Sequence, residues 1–231
     1  MHIEDGILQP AWWASWYAVT VAFIIPGLRE IRRRVQESLY YKPFLAMVGV
    51  AVFVISAMHL PVPVTGSCSH PCGTPLAAIV VGPFATVVIS AIVLFFQAVF
   101  FAHGGITTIG ANTVSMGIAG GFSGYFCWRL LRNISPLWLA AGVAGFVGDI
   151  ATYLVSSLEL ALSIHSNLPF MARWMVFFVG YAPTQLPLAV LEAIFTAAVL
   201  QVMINRRPDL LRDVMPHSSG RPQAGGLEVG S

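Results

Sequence analysis

The sequence predicts an all-α integral membrane protein of about seven transmembrane helical segments, with its N-terminus extracellular and its C-terminus cytoplasmic. Three observations carry that reading. Of 231 residues, 57% are hydrophobic and only 10% charged, where an ordinary soluble domain carries roughly a quarter; the mean hydropathy is +0.77. The apolar residues fall in runs of about 18 or more, each long enough as a helix to cross a hydrocarbon core of roughly 30 Å. The arginines gather at the ends of those runs, as they do on the cytoplasmic side of membrane proteins.

The apolar stretches lie at about 8–27, 43–60, 74–101, 111–128, 137–160 and 175–204, punctuated by Gly, Pro, Ser or charge. They are expected to be helices, because lipid offers no partner to an unpaired backbone group. Arg29, Arg32, Arg33 and Arg34 follow the first stretch, Arg129 and Arg132 the fourth, and Arg206, Arg207 and Arg212 the last. A single crossing by 74–101 would leave Arg129 and Arg132 outside, against the positive-inside rule. A break at Gly82-Pro83 repairs the parity, since proline removes a helical hydrogen bond and disfavours helix in its predecessor. It leaves a half-helix at 74–81, too short to cross lipid and therefore buried in protein or lining a cavity.

This topology places Met1 and the loops 61–73, 102–110 and 161–174 on the outer face. His2, His70, His103 and His165 then share one side, and His59 sits at the outer end of the second span. Residues 1–207 are expected to form one polytopic membrane domain. The polar tail 208–231, rich in Gly, Pro and Ser, is expected to be disordered in the cytoplasm, leaving His217 without function. No cleavable signal is expected, because residues 1–6 carry acid rather than a basic n-region, so the chain should begin at Met1.

Composition also excludes. A net charge of +2, with its positive residues at segment ends, does not suggest nucleic-acid binding. No P-loop occurs, so ATP hydrolysis must come from elsewhere. Cys68, Cys72 and Cys127 cannot all pair and form no zinc signature; they are read as unpaired, with a Cys68–Cys72 disulfide as the minority alternative. Asp149, Glu159 and Glu192 lie in or near spans, where ionisable groups count as functional candidates, although Asp149 and Glu192 are better read as pairing with polar neighbours to lock helices. Ala141-x3-Gly145 and Ala144-x3-Gly148 form a small-residue face suited to close helix packing.

The N-terminus carries the most specific chemistry. A free α-amine, the His2 amide nitrogen and His2 Nδ1 can close adjoining five- and six-membered chelate rings on one metal. Methionine removal needs a small second residue, so Met1 should persist. Nitrogen donors in a tetragonal plane favour Ni²⁺ or Cu²⁺, and imidazole also suits Co²⁺ and Zn²⁺. His70, at the end of the donor-dense segment 64–71, is the first choice for a fourth ligand, and His59 is an alternative. His103 and Asn112, flanking the Gly104-Gly105 turn, and Ser69 are candidates to orient the ligating histidines. The plain alternative is that His2 is chance, that His70 hydrogen-bonds loop backbone, and that His103 and Asn112 tie the loop together.

A rival reading is an enzyme. Gly121-Phe122-Ser123-Gly124 matches the GxSG pattern of rhomboid-like intramembrane serine proteases, and Ala102-His103-Gly104-Gly105 resembles their histidine segment. Against it, that histidine should follow the serine, whereas His103 precedes Ser123, and the topology separates the two across the membrane. A nucleophile and its base must meet within hydrogen-bond reach.

Three segments together carry a family resemblance: MHIEDG at 1–6, VTGSCSHP at 64–71 and AHGGITTIGAN at 102–112. They are similar to the signatures of the CbiM/NikM family, the substrate-capture (S) components of energy-coupling-factor transporters for cobalt and nickel, and the likeness covers about residues 1–205. The resemblance implies a multi-pass protein of the prokaryotic cytoplasmic (inner) membrane. It implies Ni²⁺ or Co²⁺ as transported ligand, held by the Met1 amine, the His2 amide and imidazole nitrogens and His70, with no organic cofactor. The partners it implies are two cytoplasmic ATPase subunits, a transmembrane coupling (T) subunit and a small accessory membrane protein. Two departures bear on metal preference: His59 stands where the family usually has lysine, and Cys72-Gly73-Thr74-Pro75 where it has Thr-Gly-Thr-Gly.

Overall fold

The computed structural model describes residues 2–58, 60–62, 67–164 and 166–207. Met1, His59, His165, residues 63–66 and the tail 208–231 lie outside them, and with them the expectations placed on Met1, His59, His165 and the tail.

The described chain is mostly helical, and each apolar stretch of the sequence contributes helix. Helix α1 is Pro10–Glu37, α2 Tyr41–Ser56, α3 Thr74–Val81 and α4 Pro83–Phe101. Helix α5, Ile109–Thr113, runs through a π-helical segment, Val114–Gly120, into α6, Gly121–Leu131. Helices α7, Leu137–Ser163, and α8, Phe170–Arg206, complete the order. Four of them, α1, α4, α7 and α8, are long and apolar enough to cross a membrane.

Burial is inverted relative to a soluble protein. Asp149, Glu159, Glu192, Gln185, Thr152 and Ser156 are fully enclosed or nearly so, while Ile92, Phe100, Met175, Val179, Leu191 and Ile194 are open to the surroundings. Apolar solvent stabilises this arrangement and water opposes it, because lipid cannot satisfy a polar side chain whereas a protein interior can.

The half-helix expected at 74–81 is present as α3, and all eight of its residues are buried. Gly82, at φ +92°, turns the chain between α3 and α4 in a conformation that a side chain would strain. Pro83 then starts α4 at a position where its missing N–H costs nothing. The core of the bundle gathers around α3, with Leu76, Ile79 and Val80 packed among Val52, Ile89, Met116 and Trp128.

Small residues let α3 come in close. A Cβ on Gly148 would lie 2.4 Å from Pro75 Cγ, and one on Gly124 would lie 2.8 Å from Pro75 Cβ. On the neighbouring face, a Cβ on Gly145 would lie 2.8 Å from Thr196 Oγ1. The small-residue face of α7 therefore serves internal packing, against α3 on one side and α8 on the other.

The all-α expectation has one exception among the described residues. Strands β1, Leu60–Val62, and β2, Ser67–Ser69, pair antiparallel with Pro61 opposite Cys68. Strand alternation explains the use: Ser69 faces α8, where its hydroxyl meets Thr184 Oγ1 at 2.8 Å. Cys68 and His70, one position either side, face the other way.

Helix direction separates two ends of the molecule. The start of α1, the end of α4, the start of α5 and the end of α7 meet at one end, tied there by Gln9 N–H donating to Ser163 Oγ at 3.0 Å. Arg34, Arg129 and Arg206 stand in the last turns of α1, α6 and α8, at the other end.

Candidate metal centre

Four buried side chains from three distant parts of the chain converge at the end where α1 begins. One donor atom each from His2, Cys68, His70 and His103 lies within 4.8 Å of all the others. The rings of His2 and His70 have centroids 4.3 Å apart, and those of His2 and His103 4.4 Å. Two donors on opposite sides of a single ion, each about 2.1 Å from it, stand about 4.2 Å apart. The observed spread is thus close to that of one coordination sphere.

Each histidine is held by local structure. His2 is positioned through its successor: Ile3 N–H donates to Asn112 Oδ1 at 2.8 Å, and Asn112 Nδ2 donates back to Ile3 O at 3.2 Å. Thr108 Oγ1 adds a third bond to Ile3 O at 2.6 Å. Ile3 itself is enclosed with Leu8, Tyr153, Leu160 and Tyr181, so the N-terminal segment is anchored by burial as well.

Further along, Asp5 accepts from the backbone of Ile106 and Thr107 and from the Thr107 hydroxyl. Burial pushes the Asp5 carboxyl up, but those three bonds outweigh it and hold the group below the usual aspartate range. Gly104, at φ +73°, leaves space for His2, whose Cβ would be 3.2 Å from any Cβ placed there.

His70 Nδ1 lies 2.9 Å from the Pro71 carbonyl. A carbonyl can only accept, so Nδ1 carries the proton and Nε2 keeps its lone pair, the tautomer a ligating imidazole needs. The segment that follows is clamped to α8, because Glu192 accepts from Cys72 N–H at 2.9 Å and Gly73 N–H at 2.8 Å. Glu192 therefore satisfies the backbone donors at the start of α3. Beside it Asp149 accepts from Cys72 Sγ at 3.4 Å and from Gln185 Nε2 at 2.6 Å. Both acids lock helices together through polar neighbours. Glu159, equally buried, accepts no hydrogen bond among the described residues.

Cys68, Cys72 and Cys127 are all free thiols. Cys68 Sγ sits 3.5 Å from His103 Nε2, and burial raises its thiol, which is therefore protonated when no metal draws on it.

Of the sequence-derived candidates, His2, His70 and His103 come together, with Asn112 directly behind His2. Ser69 lies next to His70 in the chain but turns toward Thr184. Cys68 was not among the candidates, yet its place in β2, two residues before His70, which directly follows that strand, carries the signal, since positions i and i+2 of extended chain share a face. Thr108 and Asp5 were missed because clamps of this kind have no signature in local sequence.

The protease arrangement is absent. Ser123 Oγ donates to backbone carbonyls of its own helix, Ala119 and Gly120. His103 packs on His2 and Cys68, and Ser123 lies about 20 Å along the helix that begins at Ile109, at 1.5 Å per residue.

The chain matches known proteins along most of its length. The family model described as CbiM, cobalt uptake substrate-specific transmembrane region, matches residues 2–210. A cobalt transport protein of Geobacter sulfurreducens is 44% identical over 97% of this chain, which spans 65% of that longer relative, somewhat under two thirds. A cobalt transport protein of Sorangium cellulosum is 44% identical over 91% of this chain and 94% of its own length. Among solved structures, one described as a truncated transition metal transporter superposes with a TM-score of 0.75 at 27% identity, covering 89% of this chain and 99% of that one. With the family model spanning nearly the whole chain, a full-length relative at 44% identity, and several helices apolar enough to cross a membrane, the protein is a multi-pass member of the CbiM family of cobalt-uptake transmembrane components.

Proposed function

We propose that this chain is the substrate-capture subunit of an ATP-driven importer of the energy-coupling-factor type, taking up Ni²⁺ or Co²⁺ across a prokaryotic cytoplasmic membrane. The observation that carries the reading is the buried convergence of His2, Cys68, His70 and His103, with residue 3 bonded to Asn112. The relatives named cobalt transport proteins and the neighbour named a transition metal transporter support it.

In this reading the ion is held by the Met1 amine, the His2 amide and imidazole nitrogens and His70 Nε2. His103 and Asn112 orient the N-terminal segment. Seven segments cross or enter the bilayer, the N-terminus and the metal centre face outward, and the arginine-bearing helix ends face the cytoplasm. Residues 1–207 make up the metal-binding unit. Two cytoplasmic ATPase subunits and a transmembrane coupling subunit, with a small accessory membrane protein, supply the energy and reorient this chain so that the ion leaves inward. Nitrogen donors select against Mg²⁺ and Ca²⁺, which demand oxygen shells.

The test is calorimetric titration of purified protein with Ni²⁺, Co²⁺ and Mg²⁺, comparing wild type with His2→Ala, His70→Ala and a form extended by one residue before Met1. Loss of Ni²⁺ and Co²⁺ binding in all three variants, with no Mg²⁺ binding in any, is expected. An extended form that binds as tightly as wild type means the site does not use the terminal amine.

A further inference from the structure

The nitrogen ligands above leave one well-placed group unused. It is the Cys68 thiol, buried and free, whose sulfur belongs to the same 4.8 Å cluster as the three imidazoles. We propose that Cys68 coordinates the transported ion through its sulfur, adding a thiolate to the nitrogen set and making it the residue that sets how strongly this subunit discriminates among divalent metals. The proposal rests on the reading of this cluster as the capture site, and it goes beyond that reading by naming a sulfur ligand.

Three observations carry it. The first is distance: the sulfur is already near where a shared ion would sit, because a coordination sphere with bonds of about 2.1 Å to nitrogen and 2.3 Å to sulfur spans about 4.4 Å, and contraction by a few tenths of an ångström brings the His2, His70 and Cys68 donors to it. The second is direction: Cys68 and His70 stand two apart along an extended segment and share a face, while the intervening Ser69 is turned away to Thr184. The third is surroundings. A thiol serving only to fill a core would lie among apolar side chains, whereas Cys68 Sγ is 3.5 Å from His103 Nε2, a polar neighbour suited to a group that changes charge on binding.

The chemistry balances without an added reagent. The metal–sulfur bond forms as the S–H bond breaks, and the proton leaves for bulk water by way of the His103 ring, so binding releases a proton. No electron is transferred. A coordinating thiol is deprotonated outright by the ion it binds, and thiolate is a soft ligand that favours later transition metals over Mn²⁺ and Mg²⁺. Cys68 thus confers discrimination that imidazole alone would supply less strongly.

The experiment adds Co²⁺ to purified full-length protein and records the near-ultraviolet spectrum, where sulfur-to-cobalt charge transfer absorbs and nitrogen ligands do not. Wild type is expected to develop a saturable band at one equivalent. Cys68→Ser is expected to lose the band and to bind Co²⁺ at least tenfold more weakly, with its preference for Co²⁺ over Mn²⁺ reduced; retained weak binding shows that this variant is folded. Cys72→Ser and Cys127→Ser keep the band. Saturable Co²⁺ binding with no sulfur band in wild type, or a band unchanged in Cys68→Ser, overturns the sulfur ligand and leaves the nitrogen site standing. Unchanged Co²⁺ binding in both His2→Ala and His70→Ala overturns the capture site, and the sulfur ligand with it.

Discussion

Ile3 and Asn112 exchange a pair of hydrogen bonds, backbone N–H to Oδ1 at 2.8 Å and Nδ2 to backbone O at 3.2 Å, across 109 positions of sequence. The Asn112 amide pairs with both the N–H and the C=O of one residue, as a neighbouring strand would. Because Ile3 immediately follows His2, this pair sets where the His2 ring and amide can lie. Asn112→Ala leaves the buried Ile3 N–H without its acceptor, a penalty of about 1–3 kcal/mol. Ni²⁺ affinity should fall about 10–100-fold, the usual effect of losing a group that orients a metal ligand. Titration calorimetry checks it, and affinity within twofold of wild type would show that the pair does not organise the site.

Gly105 faces Asp5 so closely that a Cβ there would lie 2.1 Å from Asp5 Oδ1 and 2.6 Å from Asp5 N. Since backbone as well as carboxylate is in the way, Gly105→Ala must push the N-terminal segment off the loop. Overpacking of this kind costs roughly 1–3 kcal/mol. The expected result is a fall in metal affinity of about tenfold, each tenfold being about 1.4 kcal/mol, with the helical circular dichroism unchanged. Full affinity in this variant would mean that the segment docks by another route.

The Asp5 carboxylate gives a pH dependence of definite sign. Its folded value lies below the ordinary one because the bonds from Thr107 and Ile106 favour the charged form. A depressed value adds stability above the ordinary aspartate value, near about 3.9, and that stability is lost as pH falls below it through the folded value. Thermal melts of metal-free protein should therefore show wild type more stable than Asp5→Asn at neutral pH, with the gap closing below about pH 4. A gap constant from neutral pH to pH 3 would refute the assignment.

Glu192 spans the Cys72 and Gly73 N–H groups with one oxygen each. Glutamine has one acceptor where glutamate has two, so Glu192→Gln orphans one buried donor, at a cost of about 1–3 kcal/mol. The melting temperature should drop in Glu192→Gln and further in Glu192→Ala. Ni²⁺ affinity should fall several-fold in both, because the clamp holds the segment next to His70. Cys72→Ala leaves the Glu192 clamp intact while losing the weaker bond to Asp149, and should shift the melting temperature less than either Glu192 variant. Equal shifts in all three would place the stabilisation elsewhere.

Much of this protein was legible one residue at a time. Apolar runs too long for anything but helix, the Gly82-Pro83 break and the half-helix before it follow from chain geometry and from the absence of hydrogen-bond partners in lipid. The meeting of His2 with His70 could be anticipated because charge placement puts both at one end of the bundle and because the motifs at 1–6, 64–71 and 102–112 are specific. What could not be read was which other groups meet across the molecule. Glu192 with the Cys72 and Gly73 amides, Asn112 with Ile3, Asp5 with Thr107 and Cys68 with His103 are pairings 35 or more positions apart. The first follows from how α3 seats against α8, the last from where β2 lies, and the other two from how the N-terminal segment docks on the loop before α5 and on α5 itself. Local pattern is written in solvation and backbone sterics, which act along the chain, whereas the identity of a distant partner depends on packing, which exists only once the helices have come together.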